Sequence, residues 1–315
     1  MAFRDVEDWT FRCAPGKWNY WKCNNCGTLY LDPRPTEASI GRAYAMYYTH
    51  NRTAGGALIE RSKTLLRHTC YLAWHGLDLK PRLPLPRLMH PLLAPLRRRV
   101  AEPFFILQML NRLPRGRLMD VGCGNGGSLA AARQLGWAAQ GLELDPHAVA
   151  AARAEGLDVR QGDYGRLEEF PGAFDCLICS HVIEHVHAPL ALMRAIYTSL
   201  RPGGAALISL PNADSVVLEA VGDNWRGLEA PRHLAIPTAK TMRALAEELG
   251  FAVEAEPVSP WITLEESLAI AQRRGLDLRA PARRLSRRAG SVDATRSDFI
   301  NLVLMKPCSS SANTG

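Results

Sequence analysis

Three glycines follow a carboxylate in the run Asp120-Val-Gly122-Cys-Gly124-Asn-Gly-Gly127, at the spacing G-x-G-x-x-G. Glycines so spaced let the backbone approach a ligand closely, and a helix starting behind them offers free amides. Glu143 follows at about twenty residues, the separation at which an acidic side chain holds ribose hydroxyls. Asp163 is a further acid, with Tyr164 beside it. The set describes a nucleotide-type cofactor, either a nicotinamide dinucleotide or S-adenosylmethionine (SAM). Three features favour SAM. Asp120 would repel a pyrophosphate but attracts the cationic methionine end of SAM. Asp163 suits the adenine amine. The closing strands lack the second half of a dinucleotide-binding fold.

A second group could serve an acceptor. His181, Glu184 and His185 lie at i, i+3 and i+4, so a helix over them would put all three on one face. Histidine titrates near neutrality, which fits a general base for a hydroxyl acceptor. The same types also ligate metals or orient a loop. Downstream, Gly222-Asp-Asn-Trp-Arg-Gly-Leu-Glu-Ala-Pro-Arg-His233 reads as a loop. Arg232 and His233 in it are candidates for binding an anionic acceptor or for acting as a base. The alternative is a buried Arg/His pair fastening a lid.

These residues need strand ends and loops to hold them, and the chain supplies both. Strands are predicted over 117–121, 138–142, 157–161, 174–179, 205–210, 251–256 and 299–306. Helices are predicted over 128–135, 146–155, 187–200 and 238–249, with Asp145 capping the second and Pro146 in its first turn. Arg201-Pro-Gly-Gly204 reads as a turn. Alternating strands and helices mean a parallel sheet with helices on both faces, whose ligands bind beyond the carboxyl ends of the strands. Ahead of this region, five prolines between Pro81 and Pro95 break any long helix. Short helices are expected on either side, over 59–75 and 100–113.

The chain resembles the class I SAM-dependent methyltransferases, over residues 118–307. The runs that carry the resemblance are LMDVGCGNGG (118–127), GLELDP (141–146), GDY (162–164), FDCLICSHVIEHVHAP (174–189) and LRPGGAALISLPN (200–212). It implies an α/β, Rossmann-like, seven-stranded and mostly parallel sheet with its last strand antiparallel. It also implies SAM as cofactor, with Asp120, Gly122 and Gly124 on the methionine side, Glu143 on the ribose, and Asp163 with Tyr164 near the adenine. His185, His233 and His181 are the candidate catalytic residues, and no metal is assigned to the site. Methyltransferases of ubiquinone biosynthesis carry a similar Glu-x-x-Glu-His segment, thought to hold a divalent ion; this chain has His181 at its first position.

Cys23-Asn-Asn-Cys26 has half of a zinc knuckle, and a structural zinc needs four ligands. With Leu31-Asp-Pro-Arg-Pro-Thr36 and Tyr47-Tyr48 it resembles an N-terminal module of methyltransferases linked to sugar and polysaccharide biosynthesis. The Trp225…Pro231-Arg-His-Leu segment is similar to that subgroup too. With only Cys13 to add, the module is expected to be degenerate and zinc is not expected. Cys176 and Cys179 lie along a buried strand and read as core.

The organisation expected is a Cys-containing module (1–50), a helical Pro/Arg-rich connector or substrate cap (51–115), the methyltransferase domain (116–307) and a tail (308–315). Substrate capture is expected from residues 40–75 and 212–235. The expected reaction is methyl transfer to a small-molecule acceptor, a sugar, nucleotide-sugar or glycan hydroxyl or carbon. A nucleic-acid methyltransferase and an inactive SAM-binding adaptor are the alternatives.

Of the net charge of +7, residues 80–100 hold six cations and no acid, and residues 273–288 hold seven arginines against Asp277. The rest is therefore net acidic. The basic segments suit a diphosphate-linked substrate or an anionic membrane surface, or are simply solvated faces; no specific nucleic acid is expected. No apolar run reaches transmembrane length, the first residues do not read as a secretory signal, and the scattered cysteines suit a reducing compartment. A cytoplasmic protein, peripheral at most to the membrane, is expected.

Overall fold

The computed structural model describes residues 1–44, 57–96, 105–255, 258, 262–286 and 292–308. Tyr47, Tyr48, Arg97–Arg99, Arg287, Arg288 and most of the expected tail lie outside them.

Eleven strands are described: β1 (Phe3–Val6), β2 (Trp18–Lys22), β3 (Leu29–Leu31), β4 (Arg117–Val121), β5 (Ala138–Glu143), β6 (Val159–Gln161), β7 (Phe174–Ser180), β8 (Leu200–Pro211), β9 (Ala235–Ile236), β10 (Ala252–Ala255) and β11 (Phe299–Met305). Seven of them form a sheet in the order β10-β11-β8-β7-β4-β5-β6. β4, β5 and β6 pair in parallel. β11 runs antiparallel to both β8 and β10, from Phe299 opposite Pro211 to Met305 opposite Ala205 on the β8 side. The expected antiparallel last strand is therefore present. Strand order reverses beside β4, so the loop after β4 is the switch point where such sheets bind ligands.

The expected turn at 201–204 is absorbed into β8, which starts at Leu200. Gly203 takes a left-handed φ of 76° and its amide donates to the Lys306 carbonyl, so the strand begins paired. The helices follow the sequence closely: Gly127–Gln134, Pro146–Ala154, Pro189–Ser199 and Ala239–Glu248. Asp145 caps the second, accepting from the His147 amide with Pro146 in the first turn. The helix Ala57–His75 and the shorter Phe105–Arg112 flank the proline-rich stretch. Among the described residues, no helix is long and apolar enough to cross a membrane.

The described residues fall into two compact units. One takes those within 49–163 and 173–178. In it Tyr71, Leu77 and Leu79 form a small core, packed by Leu107 and by Ala131 and Leu135 near the helix behind the glycine loop. The other takes those within 1–48, 164–172 and 179–315. Here β1, β2 and β3 make an antiparallel sheet that β9 completes, Leu29 lying opposite Ile236. The N-terminal segment thus shares a core with the later loop: Tyr20, Leu29 and Leu31 are buried with Trp225, Leu228 and Leu234.

Candidate functional site

The glycine loop is shaped by its own backbone. Gly122, Gly124 and Gly126 take φ of 71°, 54° and 84°, a region that favours glycine. Gly126, not Gly127, makes the last left-handed step before the helix. A Cβ at Gly124 would meet nothing within 4 Å, so the loop presents open backbone there. At Gly141 of β5 the constraint is packing, because a Cβ would lie 2.5 Å from Cys123 Sγ and 2.6 Å from Leu129.

Two carboxylates meet at this loop. Glu143 Oε2 accepts from the Gly124 amide at 2.8 Å, and Oε1 from the Asp145 amide at 2.9 Å. Each oxygen keeps further lone-pair capacity for ribose hydroxyls. Asp120 is 4% exposed; burial, with the Glu143 charge beside it, pushes its carboxyl up to about 8. Two acids held together, one driven toward neutrality, make a pocket short of a cation. The sulfonium and ammonium of SAM are such cations, so the residues present fit that cofactor. Asp163 is exposed just beyond β6, and Tyr164 opens the turn Tyr164–Glu169.

In the other unit the histidines converge, but not on a helix. The segment is a 3-10 turn, Ile183–His185, entered through His181 at φ 56°. The His181 amide donates to the Ser209 carbonyl at 2.7 Å, which ties the turn to β8 and stops a helix from starting. His181 and Glu184 still meet. His181 Nδ1 lies 3.3 Å from Glu184 Oε1, its ring packs edge-on to Phe299 at 4.7 Å, and its side chain is 41% exposed. Glu184 is fully buried. Burial opposes its ionisation, but the His181 hydrogen bond and the nearby His185 and His233 outweigh that and hold its pKa below the usual range. Its Oε2 has no hydrogen-bond partner among the described residues.

His185 Nδ1 lies 2.9 Å from the Tyr44 hydroxyl and 3.2 Å from the Arg232 carbonyl, and its ring stands against His233 at 4.6 Å. His233 is only 3% exposed. Its Nδ1 lies 2.7 Å from the Gly227 carbonyl, and its Nε2 is 3.5 Å from Glu229 and 3.9 Å from Glu184. Burial is the main reason its pKa falls to about 4. His233 is thus enclosed by protein groups, and so is Arg232, the expected anion binder. It is fully buried, bonding Asp8 at 2.7 and 3.0 Å, Glu229 at 3.0 Å and the Ala43 carbonyl at 3.0 Å. The fastening role is the one observed. The sequence singled out neither Asp8, Tyr44 nor Glu229. Only Glu229 carried a signal, three and four residues ahead of Arg232 and His233.

A family model described as a methyltransferase domain matches residues 91–256, just over half of the chain. The chain belongs to this methyltransferase family. A ubiquinone biosynthesis O-methyltransferase of Xanthomonas campestris pv. campestris is 39% identical over 108 residues, covering 32% of this methyltransferase and 45% of the relative. One of the same description from Xanthomonas oryzae pv. oryzae is 34% identical over 130 residues, covering 38% and 54%. The chain thus spans about half the length of the curated relatives it matches. A SAM-dependent methyltransferase from Archaeoglobus fulgidus is similar at TM-score 0.45 and 19% identity, covering 69% of this chain and 93% of that one. One from Mesorhizobium loti is similar at TM-score 0.44 and 22% identity, covering 63% and 95%. The methyltransferase domain of this chain is built on a Rossmann-like sheet.

The cysteines and basic segments of this methyltransferase resolve differently from their sequence pattern. Cys13 Sγ lies beside Asp8, the Ala43 carbonyl and Arg232. Cys26 Sγ donates to Thr28 Oγ1 instead, and the Cys26 carbonyl accepts from Thr241 Oγ1. Cys13 is thus committed elsewhere than the Cys23–Cys26 turn. Among the basic residues, Lys80 and Arg82 pair with Asp78, Arg274 with Asp223, and Arg279 with Asp277. Asp78 and Asp223, both outside the two segments, offset part of the excess.

Proposed function

We propose that this methyltransferase transfers a methyl group from SAM to a hydroxyl of a small-molecule acceptor, with His181 as the base. The His181–Glu184 pair carries this reading. Glu184 Oε1, fully buried, takes the Nδ1–H of His181, which leaves Nε2 of a 41% exposed ring as the proton acceptor. SAM supplies a methyl group already activated on a sulfonium. Nε2 of His181 takes the hydroxyl proton while the acceptor oxygen gains the methyl carbon, whose bond to sulfur breaks to leave S-adenosylhomocysteine. Glu184 steadies the imidazolium that forms. Asp120 and Glu143 supply donor recognition through charge and through the glycine loop. His185 and His233 stand behind Glu184 as positioning residues rather than bases.

For the acceptor, the reading is a sugar, nucleotide-sugar or glycan hydroxyl. Its support is the likeness of the Cys23–Cys26 segment and of the Trp225…Pro231-Arg-His-Leu segment to sugar-modifying methyltransferases. A second reading is O-methylation in ubiquinone biosynthesis, favoured by the names of the relatives. Methyl incorporation from labelled SAM across nucleotide sugars, lipid-diphosphate sugars and phenolic ubiquinone precursors separates the two. Transfer to carbon or nitrogen alone would refute the hydroxyl reading.

A further inference from the structure

We propose that residues 83–95 dock this methyltransferase on an anionic phospholipid bilayer, with apolar side chains entering the interface and cations meeting the headgroups. This strip lies ahead of the runs that carry the methyltransferase resemblance, and none of its residues belongs to the sites described above.

The pattern of exposure is the first support. Arg87–Leu96 is a 3-10 helix, which has three residues per turn. His90, Leu93 and Leu96, spaced by three, form its inward face, Leu93 buried and the other two partly so. The other two faces point outward, Leu88, Pro91 and Ala94 on one and Met89, Leu92 and Pro95 on the other. All six are apolar and exposed, Leu88 at 92% and Leu92 at 70%. Leu83, Pro84 and Pro86 extend the exposed apolar run ahead of the helix. Contiguous exposed apolar surface marks an interaction site, whereas a single exposed leucine does not.

Charge names the partner. Lys80, Arg82 and Arg87 accompany the strip, the sequence continues into three arginines at 97–99, and residues 80–100 contain no acid. Asp78 pairs with Lys80 and Arg82 and offsets one of them. Arg87 is exposed directly beside Leu88. Apolar insertion combined with attraction to anionic headgroups is how interfacial segments hold a bilayer. A second copy of the strip would instead set cation against cation, with no acid in it to answer them.

The backbone suits the same surface. Pro84, Pro86, Pro91 and Pro95 have no amide N–H, so they leave no donor unpaired where water is sparse.

The strip is also anchored. The Lys80 amide donates to Gln134 Oε1, and Gln134 Nε2 donates to the Lys80 carbonyl at 3.2 Å. The Leu83 amide donates to Thr69 Oγ1 at 2.9 Å, and His68 Nδ1 lies 3.1 Å from the Pro81 carbonyl. These bonds tie it to the helix Ala57–His75 and to the end of Gly127–Gln134, the helix behind the glycine loop, all in one compact unit. Docking through the strip therefore also sets the glycine loop relative to the bilayer.

The test is flotation of the full chain with vesicles of phosphatidylglycerol and phosphatidylcholine in equal parts, beside vesicles of phosphatidylcholine alone. The anionic vesicles should carry the protein, less so as salt is added, and the neutral ones should carry far less. Leu88→Ser with Leu92→Ser should weaken partition onto the anionic vesicles by more than roughly tenfold. Arg87→Glu should weaken it by roughly 10–30-fold. All three side chains are exposed, and circular dichroism with thermal melts checks that the variants fold like wild type. No flotation with anionic vesicles, equal flotation with both kinds, or undiminished flotation of the folded leucine variant would overturn the proposal. So would a dimer that the leucine variant loses while no vesicle binds, because the strip would then pair two copies.

Discussion

The carboxylate of Glu143 accepts a hydrogen bond from the amide of Gly124 at 2.8 Å. The acid that ends β5 therefore also holds the glycine loop in place, and its second oxygen anchors the Asp145 amide at 2.9 Å. Cofactor recognition and loop geometry rest on one side chain. Glu143→Ala should weaken S-adenosylhomocysteine by about 1–3 kcal/mol, through lost charge-assisted bonds and a loosened loop. Calorimetric titration measures it; unchanged affinity would remove Glu143 from the site.

Asp120 makes the same pocket sensitive to pH. Its carboxyl is raised from an ordinary 3.8 to about 8, so the folded state holds a proton that the unfolded chain has released. Stability from this group is unaffected below about pH 4 and is lost as pH rises toward about 8, at about 1.4 kcal/mol per pH unit. A bound sulfonium favours the ionised carboxylate and expels the proton. The affinity of SAM relative to S-adenosylhomocysteine, which keeps the ammonium but lacks the sulfonium charge, should therefore rise between about pH 6 and pH 8. A ratio flat across that range would show that Asp120 does not face the charge. Asp120→Asn should flatten it.

The donor half of the site was legible because its signals are local. The glycine spacing, Asp120 and Glu143 fall within one strand–loop–helix–strand unit, and β4 lies where its apolar run predicts. Tertiary pairing decides the rest. Arg232 and Asp8 are 224 residues apart, and Tyr44 and His185 are 141 apart, so no window of sequence joins them. The i, i+3, i+4 spacing of His181, Glu184 and His185 would put them on one face if the segment were helical. The left-handed step at His181 and its bond to Ser209 prevent a helix, and a 3-10 turn still brings His181 onto Glu184. Counting charge along residues 80–100 and 273–288 missed Asp78 and Asp223, which pair with Lys80, Arg82 and Arg274 from outside those windows and offset a small part of the excess.

Acceptor activation should separate from donor binding. His181→Ala removes the proposed base, and turnover should fall by roughly 10²–10⁴-fold while S-adenosylhomocysteine affinity stays close to wild type. Glu184→Gln should lower turnover as well, since an amide holds the imidazole without stabilising its cation. Single-turnover methyl transfer with the acceptor found in the screen measures both. Full turnover in His181→Ala would return that residue to a structural role.

The Arg232–Asp8 pair should act on stability rather than on chemistry. Both side chains are nearly inaccessible, and Asp8 also accepts from the Phe11, Cys13 and Ala14 amides. Arg232→Met leaves Asp8 and Glu229 buried with less compensation and should cost about 3–5 kcal/mol. Asp8→Leu with Arg232→Met should recover part of that loss, because the uncompensated Asp8 charge goes with its partner. Acid should expose the same pair. Burial alone would raise the Asp8 pKa, but the Arg232 bonds and charge bring it below the ordinary 3.8. Stability from a depressed carboxyl is fully present above its unfolded pKa and is lost as pH falls through the folded one. The wild-type chain should therefore lose stability on acidification below about pH 4 more steeply than the double variant. Urea unfolding from pH 7 downward reads both slopes. Parallel slopes, or a single Arg232→Met loss under about 1 kcal/mol, would mean that the N-terminal segment is held by its apolar contacts around Tyr20 and Trp225 instead.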